Sequence, residues 1–425
     1  MIETIYELYK KAYSITTDSR NITKDCIFVA LKGEHFDGND FALKVAEEGI
    51  AAGVIADRKD LPKHERLFVV EDSLKCLQEL AKHHRKQLGL PIIGITGTNG
   101  KTTTKELVSA VLAKKYNIAF TQGNFNNQLG VPLTLLRIKP GTELAVVEMG
   151  ASHPGDIDEL TGIGEPNYGI ITNIGRAHLR DFGGYEGVIK TKNEMYQYIA
   201  THKGLLFVNK DNDLLMNLAH NINKVTYGTT NAADVVGKMH SANPYLSVEW
   251  NGQIIDTQLV GDYNFENVMA AISIGSYFKV AENDIVDALS NYCPTNNRSQ
   301  VIETGKNRVV MDAYNANPTS MSYAIKNFRN ICKDDNLLIL GNMLELGEES
   351  EQEHKNIIEL LKELRFKNVY LVGSEFSQCS KNSEYSSFDN VEELAQYLSN
   401  NPVTGKDILV KGSNSVHLNK LIDSL

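Results

Sequence analysis

Cysteine is scarce in this sequence and no tract of basic residues occurs, and both shortages narrow what it can do. Five cysteines are scattered over 425 residues with no C-x-x-C pair, so neither a zinc site nor a disulfide framework is indicated, and a reducing cytoplasm is the expected compartment. Lysine and arginine number 43 against 53 acidic residues, a formal net charge of −10. Binding a nucleic-acid backbone needs clustered cations, so no nucleic-acid partner is expected. No run approaches the roughly 18 apolar residues of a membrane span, and the first twenty residues lack the basic start and apolar core of a signal peptide. Membrane insertion is therefore not expected, and a monomer is the working expectation.

What is present is globular. Hydrophobic residues make up 42% and charged residues 23%, and this length suggests two to four domains. Residues 1–88 read as a small α/β unit with strands at 25–31, 53–56 and 67–70 and a helix over 74–87. Residues 89–295 show apolar, strand-like runs at 118–121, 144–148, 168–174 and 205–209 between helical segments, the pattern of a mostly parallel sheet. Residues 296–425 alternate strands (308–311, 337–340, 369–372, 408–410) with helices (320–331, 351–364, 391–398, 416–422), a doubly wound, Rossmann-like layer without a G-x-G-x-x-G. The fold class expected is α/β in three domains, with hinges near 89–91 and 294–298.

The chain is organised around Gly94-Ile95-Thr96-Gly97-Thr98-Asn99-Gly100-Lys101-Thr102-Thr103-Thr104. It follows the apolar run 90–93 and precedes apolar residues at Leu107, Val108, Val111 and Leu112, so it reads as strand, glycine-rich turn and helix. Glycines let the backbone approach a polyphosphate, amides at the helix start point at the anion, Lys101 adds a charge, and Thr102 offers a hydroxyl to magnesium. The spacing G-x-x-G-x-x-G-K-T differs from the usual G-x-x-x-x-G-K-[ST]. Nucleoside triphosphate binding is the premise that follows.

Ligands of parallel sheets sit outside the carboxyl ends of the strands. There Glu148-Met149-Gly150 ends one predicted strand and Thr172-Asn173-Ile174-Gly175-Arg176-Ala177-His178 another. A carboxylate and an imidazole beside a phosphate loop suit a magnesium site, while each alone is equally a cap or surface residue. Asn124 to Gly130, the helix start at Asn267, and Asp312-Ala313-Tyr314-Asn315-Ala316-Asn317-Pro318 are on residue type alone turns and caps. Lys192 alone is a helix-surface lysine.

Taken together, the 94–104 loop, Glu148-Met149-Gly150, the 173–178 segment and the 312–318 segment resemble the motifs of the Mur ligase family in family order over essentially the whole chain. Those are ATP-dependent, amide-forming enzymes of peptidoglycan synthesis. The 312–321 segment is similar to the D-x-Y-N-A-N-P-x-S-M of members that add D-alanyl-D-alanine, and the Asp-Asn-Pro-Arg of diaminopimelate-adding members is absent. The resemblance implies ligation of D-alanyl-D-alanine to UDP-N-acetylmuramoyl-tripeptide, with ATP and magnesium as cofactors. It implies that Gly97, Thr98, Asn99, Gly100, Lys101, Thr102 and Thr103 hold the ATP phosphates, and that Asn267, Arg298, Asp312 and Tyr314 hold the nucleoside. Thr102, Glu148, His178 and a carbamylated Lys192 become metal ligands, with Lys101, Glu148, His178 and Lys192 the catalytic set. Ser19 and Arg20 meet the uridine diphosphate end. Asn126, Asn127, Asn315, Asn317, Lys411 and Ser413 are the remaining substrate-side residues. Asn39, Ser152, Arg180 and Asn414 depart from the family's usual residues.

Overall fold

The fold is described by a computed structural model covering residues 1–175, 179–295, 297–381 and 383–425. Three sheets follow one another along the chain. The first has four parallel strands, Ile15–Thr16, Ile27–Val29, Gly53–Ala56 and Leu67–Val69, in chain order.

In the central sheet, Ile92–Thr96, Leu144–Glu148 and Leu205–Asn209 are buried along their whole length, as continuous apolar runs must be when helices cover both faces. The Ile92–Thr96 strand lies between Leu144–Glu148 and Tyr168–Ile171, all parallel. From it the chain first builds one side of the sheet and then the other, so the crevice beyond its carboxyl end is the switch point where such sheets bind ligands.

Three antiparallel strands, Val235–Ala242, Tyr245–Trp250 and Gln253–Val260, extend one edge of this sheet to nine strands. They are only half-buried and carry no continuous apolar run, so the apolar pattern does not mark them. Their signal was Asn251-Gly252, both at positive φ (48° and 75°), the pair favoured in two-residue hairpin turns.

The third sheet has six strands. Gln300–Glu303 is antiparallel to Arg308–Asp312, and Asp407–Lys411, Asn336–Gly341, Val369–Val372 and Ser386–Phe388 continue it in parallel. The α-helix expected over 416–422 is instead two 3-10 segments, Asn414–Val416 and Leu418–Ser424, separated by His417 at φ 59°. The left-handed residue breaks the α-helical ladder, and Leu418 and Leu421, three apart and both buried, share one face of a three-residue turn.

One apolar cluster runs from Ile5, Tyr9 and Leu77 of the first unit into Val131, Leu136 and Leu160 of the second. The buried His84 ring joins them, with Nδ1 against the Tyr6 hydroxyl at 3.1 Å and Nε2 against the Ile138 carbonyl at 2.8 Å. The 89–91 connection is thus flanked by a packed seam. The C-terminal unit keeps its own clusters, into which, among the described residues, Val260 of the central unit enters.

Candidate active site

A cleft of about 990 Å³ lies between the carboxyl ends of the central and C-terminal sheets. Residues 98–103 of the glycine-rich loop line it. Gly97 (φ 145°) and Gly100 (φ 79°) sit where side chains are strained, and a Cβ at Gly97 would lie 2.0 Å from Thr172 Oγ1 and one at Gly100 2.5 Å from Asn267 Oδ1. Glycine is required by both conformation and space.

The loop is clamped by the segment after Tyr168–Ile171. Thr172 Oγ1 donates to the Asn99 carbonyl at 2.6 Å, the Asn99 amide donates to Asn173 Oδ1 at 3.0 Å, and the Gly175 amide donates to Thr98 Oγ1 at 2.9 Å. Thr172 and Asn173 are positioning residues that sequence reasoning did not assign; their signal was a polar pair directly after an apolar strand.

Lys101 Nζ donates to the carbonyls of Gly97 (2.8 Å) and Thr98 (3.0 Å), closing over the loop it serves. Burial lowers its pKa, attraction by Glu148 opposes this, and repulsion by Arg298 adds to it. Glu148 is 1% exposed. Its Oε1 accepts from Thr102 Oγ1 (3.2 Å) and Asn126 Nδ2 (2.8 Å), while its Oε2 is buried with no hydrogen-bond partner. An orphaned carboxylate oxygen beside a threonine hydroxyl fits a hard divalent cation, which takes one or two protein oxygens and completes its shell with phosphate and water. Among the described residues no cluster of three His, Cys, Asp or Glu forms an all-protein metal cage.

Lys192, on the Tyr185–Thr201 helix, is 3% exposed and does not line the cleft. Burial brings its pKa down to about 7, helped by repulsion from Lys101 and opposed by Asp156 and Glu194. Far from being a surface lysine, it holds an amine that gives up its proton near neutrality. His178 lies outside the described residues.

The C-terminal unit supplies the opposite wall. Arg298 stacks on the Tyr314 ring, 3.9 Å from its centroid. Asp312 accepts from Lys411 Nζ at 2.6 Å and from the Ser299 amide at 3.3 Å. Asn317 caps the Pro318–Ile331 helix through its Oδ1 and reaches Asn99 Oδ1 with its Nδ2 at 2.8 Å, tying the two units across the cleft. Asn267 accepts from Thr104 Oγ1 at 3.0 Å. Asn127 lines the cleft with its Oδ1 accepting from the Leu129 and Gly130 amides, and Asn315 lines it too.

Three substrate-side residues lie outside this cleft. Ser19 and Arg20 are on the first unit, where Arg20 forms a bidentate pair with Asp18 at 2.9 Å and holds that carboxyl at about 2. Ser413 is buried, with its Oγ accepting from the Leu344 amide at 3.2 Å. Among the departures, Asn39 is accommodated by bonds to Asp37 and Asp57, both at 2.8 Å.

A phosphate-binding loop, a metal-ready carboxylate and a second α/β sheet closing over both define an ATP-dependent ligase rather than a dinucleotide-binding enzyme. Comparison with known proteins is specific. The Mur ligase middle domain model matches residues 95–275, the Mur ligase glutamate ligase domain model 297–414, and the Mur ligase family catalytic domain model 11–85. UDP-N-acetylmuramoyl-tripeptide–D-alanyl-D-alanine ligase of Bacillus subtilis is 34% identical over 97% of this chain and 93% of its own length. Among solved structures, MurF of Acinetobacter baumannii superposes with a TM-score of 0.86 at 29% identity, covering 96% of this chain and 92% of that one. MurF ligase of Thermotoga maritima in complex with ADP gives 0.84 at 28% identity, covering 97% and 96%. The chain belongs to the Mur ligase family.

Proposed function

We propose that this chain joins D-alanyl-D-alanine to UDP-N-acetylmuramoyl-tripeptide, with ATP hydrolysed to ADP and phosphate. The observation that carries the reading is the 312–321 segment, whose D-x-Y-N-A-N-P-x-S-M faces the phosphate loop and is bonded to it through Asn317 and Asn99. Full-length likeness to a relative named for this reaction supports it.

A carboxylate is a poor acceptor for an amine, because its carbon is shielded by charge and oxide does not leave. Phosphorylation by ATP gives an acyl phosphate. The dipeptide amine then attacks the carbonyl carbon, the tetrahedral intermediate collapses, the carbon–oxygen bond to phosphate breaks, and the pentapeptide product forms. Amides of the 97–103 loop and Lys101 hold the triphosphate in line with the incoming carboxylate, so catalysis is mostly positioning and charge neutralisation. Thr102 and Glu148 Oε2 are the groups that would hold magnesium, with His178 and Lys192 joining them. Magnesium, when bound, neutralises charge between triphosphate and carboxylate.

Lys192 takes part as a carbamate. Its uncharged amine adds to carbon dioxide and loses a proton, turning a neighbour that repels Lys101 into one that attracts it. Asn267, Arg298, Asp312 and Tyr314 receive the nucleoside, and Ser19 and Arg20 the uridine diphosphate. Asn126, Asn127, Asn315 and Lys411 line the acceptor side. The domains are 1–88, 89–295 and 296–425, and the protein works as a monomer in the cytoplasm.

Exchanging the amine tests the reading. Turnover with D-alanyl-D-alanine, and none when lysine or diaminopimelate is offered with the shorter UDP-N-acetylmuramoyl-dipeptide, is the expected result; the reverse assigns the chain to the third-residue-adding branch of the family.

A further inference from the structure

The loop after the Asn336–Gly341 strand, residues 342–347, carries Glu345 into the cleft wall. Glu345 sits at φ 64° and Gly347 at φ 58°. A left-handed non-glycine residue costs free energy, persists only where its surroundings over-determine it, and is frequent at functional sites.

Two contacts hold this loop from behind. The Leu344 amide donates to Ser413 Oγ at 3.2 Å, and the Met343 amide donates to Nε2 of His354 at 3.1 Å. His354 lies on the Ser350–Glu363 helix, is 0% exposed, and stands edge-on to the Phe376 ring at 4.6 Å. Its Nδ1–H donates to the Ser350 carbonyl at 2.7 Å. Both ring nitrogens are thereby used, and the acceptor at Nε2 requires the neutral tautomer. Burial favours that form, lowering the pKa, while the Ser350 carbonyl, Glu375 and Glu353 pull the other way.

We propose that His354 is a positioning residue for the amine-substrate side of the cleft, setting the 342–347 loop and the Glu345 carboxylate it presents. An apolar residue would fill the same core space beside Phe376, so packing alone does not require an imidazole here. What the ring adds is an acceptor aimed at one loop amide. The loop's place in the sheet says which substrate it serves. Arg298 and Tyr314 adjoin the Arg308–Asp312 strand, whereas the loop leaves the Asn336–Gly341 strand, with Asp407–Lys411 between them. Two strand spacings, about 10 Å, separate the two ends of the wall. Nucleotide contacts at the first end are therefore remote from the loop, and a carboxylate suits the ammonium of an incoming amine.

This inference rests on the ligase reading above, so its test has one arm that needs activity and one that does not. The full-length protein is compared with His354→Leu, which removes the acceptor, and His354→Gln, which keeps one near Nε2. His354→Leu should raise KM for D-alanyl-D-alanine roughly tenfold, the order expected for one lost buried hydrogen bond, with KM for ATP unchanged. His354→Gln should stay close to wild type. Hydrogen exchange should show the Met343 amide deprotected in the leucine variant and protected in the glutamine variant. Equal shifts of both KM values, equal behaviour of the two variants, or unchanged Met343 exchange would overturn the proposal. A wild-type protein inactive with the dipeptide counts against the ligase reading alone, and Met343 exchange then decides the positioning role.

Discussion

Lys192 offers the sharpest physical prediction. Its amine has a pKa of about 7 in the fold against an ordinary 10.5. A gap of about 3.5 pH units, at 1.36 kcal/mol each, is roughly 5 kcal/mol of folding stability forgone at or below pH 7. The sign follows from proton counting. Between pH 7 and 10.5 the unfolded chain holds the lysine proton and the folded chain does not, so stability rises with pH through that window. Lys192→Met fills the space without a charge. In carbon dioxide-free buffer the variant should unfold at higher urea than wild type at pH 7, by an amount of order 2–5 kcal/mol. The advantage should shrink by about 1.4 kcal/mol per pH unit and vanish near pH 10.5. Bicarbonate should stabilise wild type only, because only wild type can form the carbamate. The variant should lose ligation, because methionine cannot form the carbamate. A difference between the proteins that is flat from pH 7 to 10, or a variant no more stable at pH 7, would refute the argument.

Glu148→Gln should lower phosphate release about a hundredfold or more at saturating magnesium. Its melting temperature should hold or rise, because a buried oxygen without a partner loses its charge; a variant with normal turnover would remove Glu148 from the metal site. Asn317→Asp keeps the helix cap but replaces the Nδ2 donor to Asn99, so KM for ATP should rise about fivefold with little change in urea midpoint; the opposite pattern would leave Asn317 with the cap alone. His84 is held below its ordinary 6.5 chiefly by burial. As pH falls below 6.5 the unfolded chain takes up the proton first and stability is lost, down to the folded-state pKa. Urea titrations from pH 7 to 5 should show a shallower acid limb for His84→Gln than for wild type, and identical limbs would contradict the assignment.

What could be read in advance were features whose cause is local. Continuous apolar runs bounded by polar turns located Leu144–Glu148, Val369–Val372 and Leu205–Asn209 to the residue, and spaced glycines with Lys101 located the phosphate loop. The edge hairpins were missed because solvent takes one face and their alternation is weak. The 416–422 helix failed because His417 turns left-handed, and apolar residues three apart fit a 3-10 turn as well as an α-helix.

Buried polar residues were the least legible. Lys105, fully buried, donates to the Thr121 carbonyl at 2.7 Å, and Arg85 is spent on Gly164, Glu165 and Asn167 at 3.1–3.3 Å. These carbonyl and amide partners lie 16 to 82 residues away, and only the tertiary fold brings them near. Asn126 illustrates the same limit within the site: by residue type it reads as a turn residue and only the family resemblance puts it on the substrate side, while the bond from its amide to Glu148 is visible only in the fold.

The most direct test of the ligase reading is phosphate release by the purified protein with ATP, magnesium and UDP-N-acetylmuramoyl-tripeptide, with and without D-alanyl-D-alanine, together with the mass of the product. Release that depends on the dipeptide, with product heavier than the tripeptide by one D-alanyl-D-alanine less water, is the result predicted. Release that ignores the dipeptide, or a product extended by a single amino acid, would contradict it.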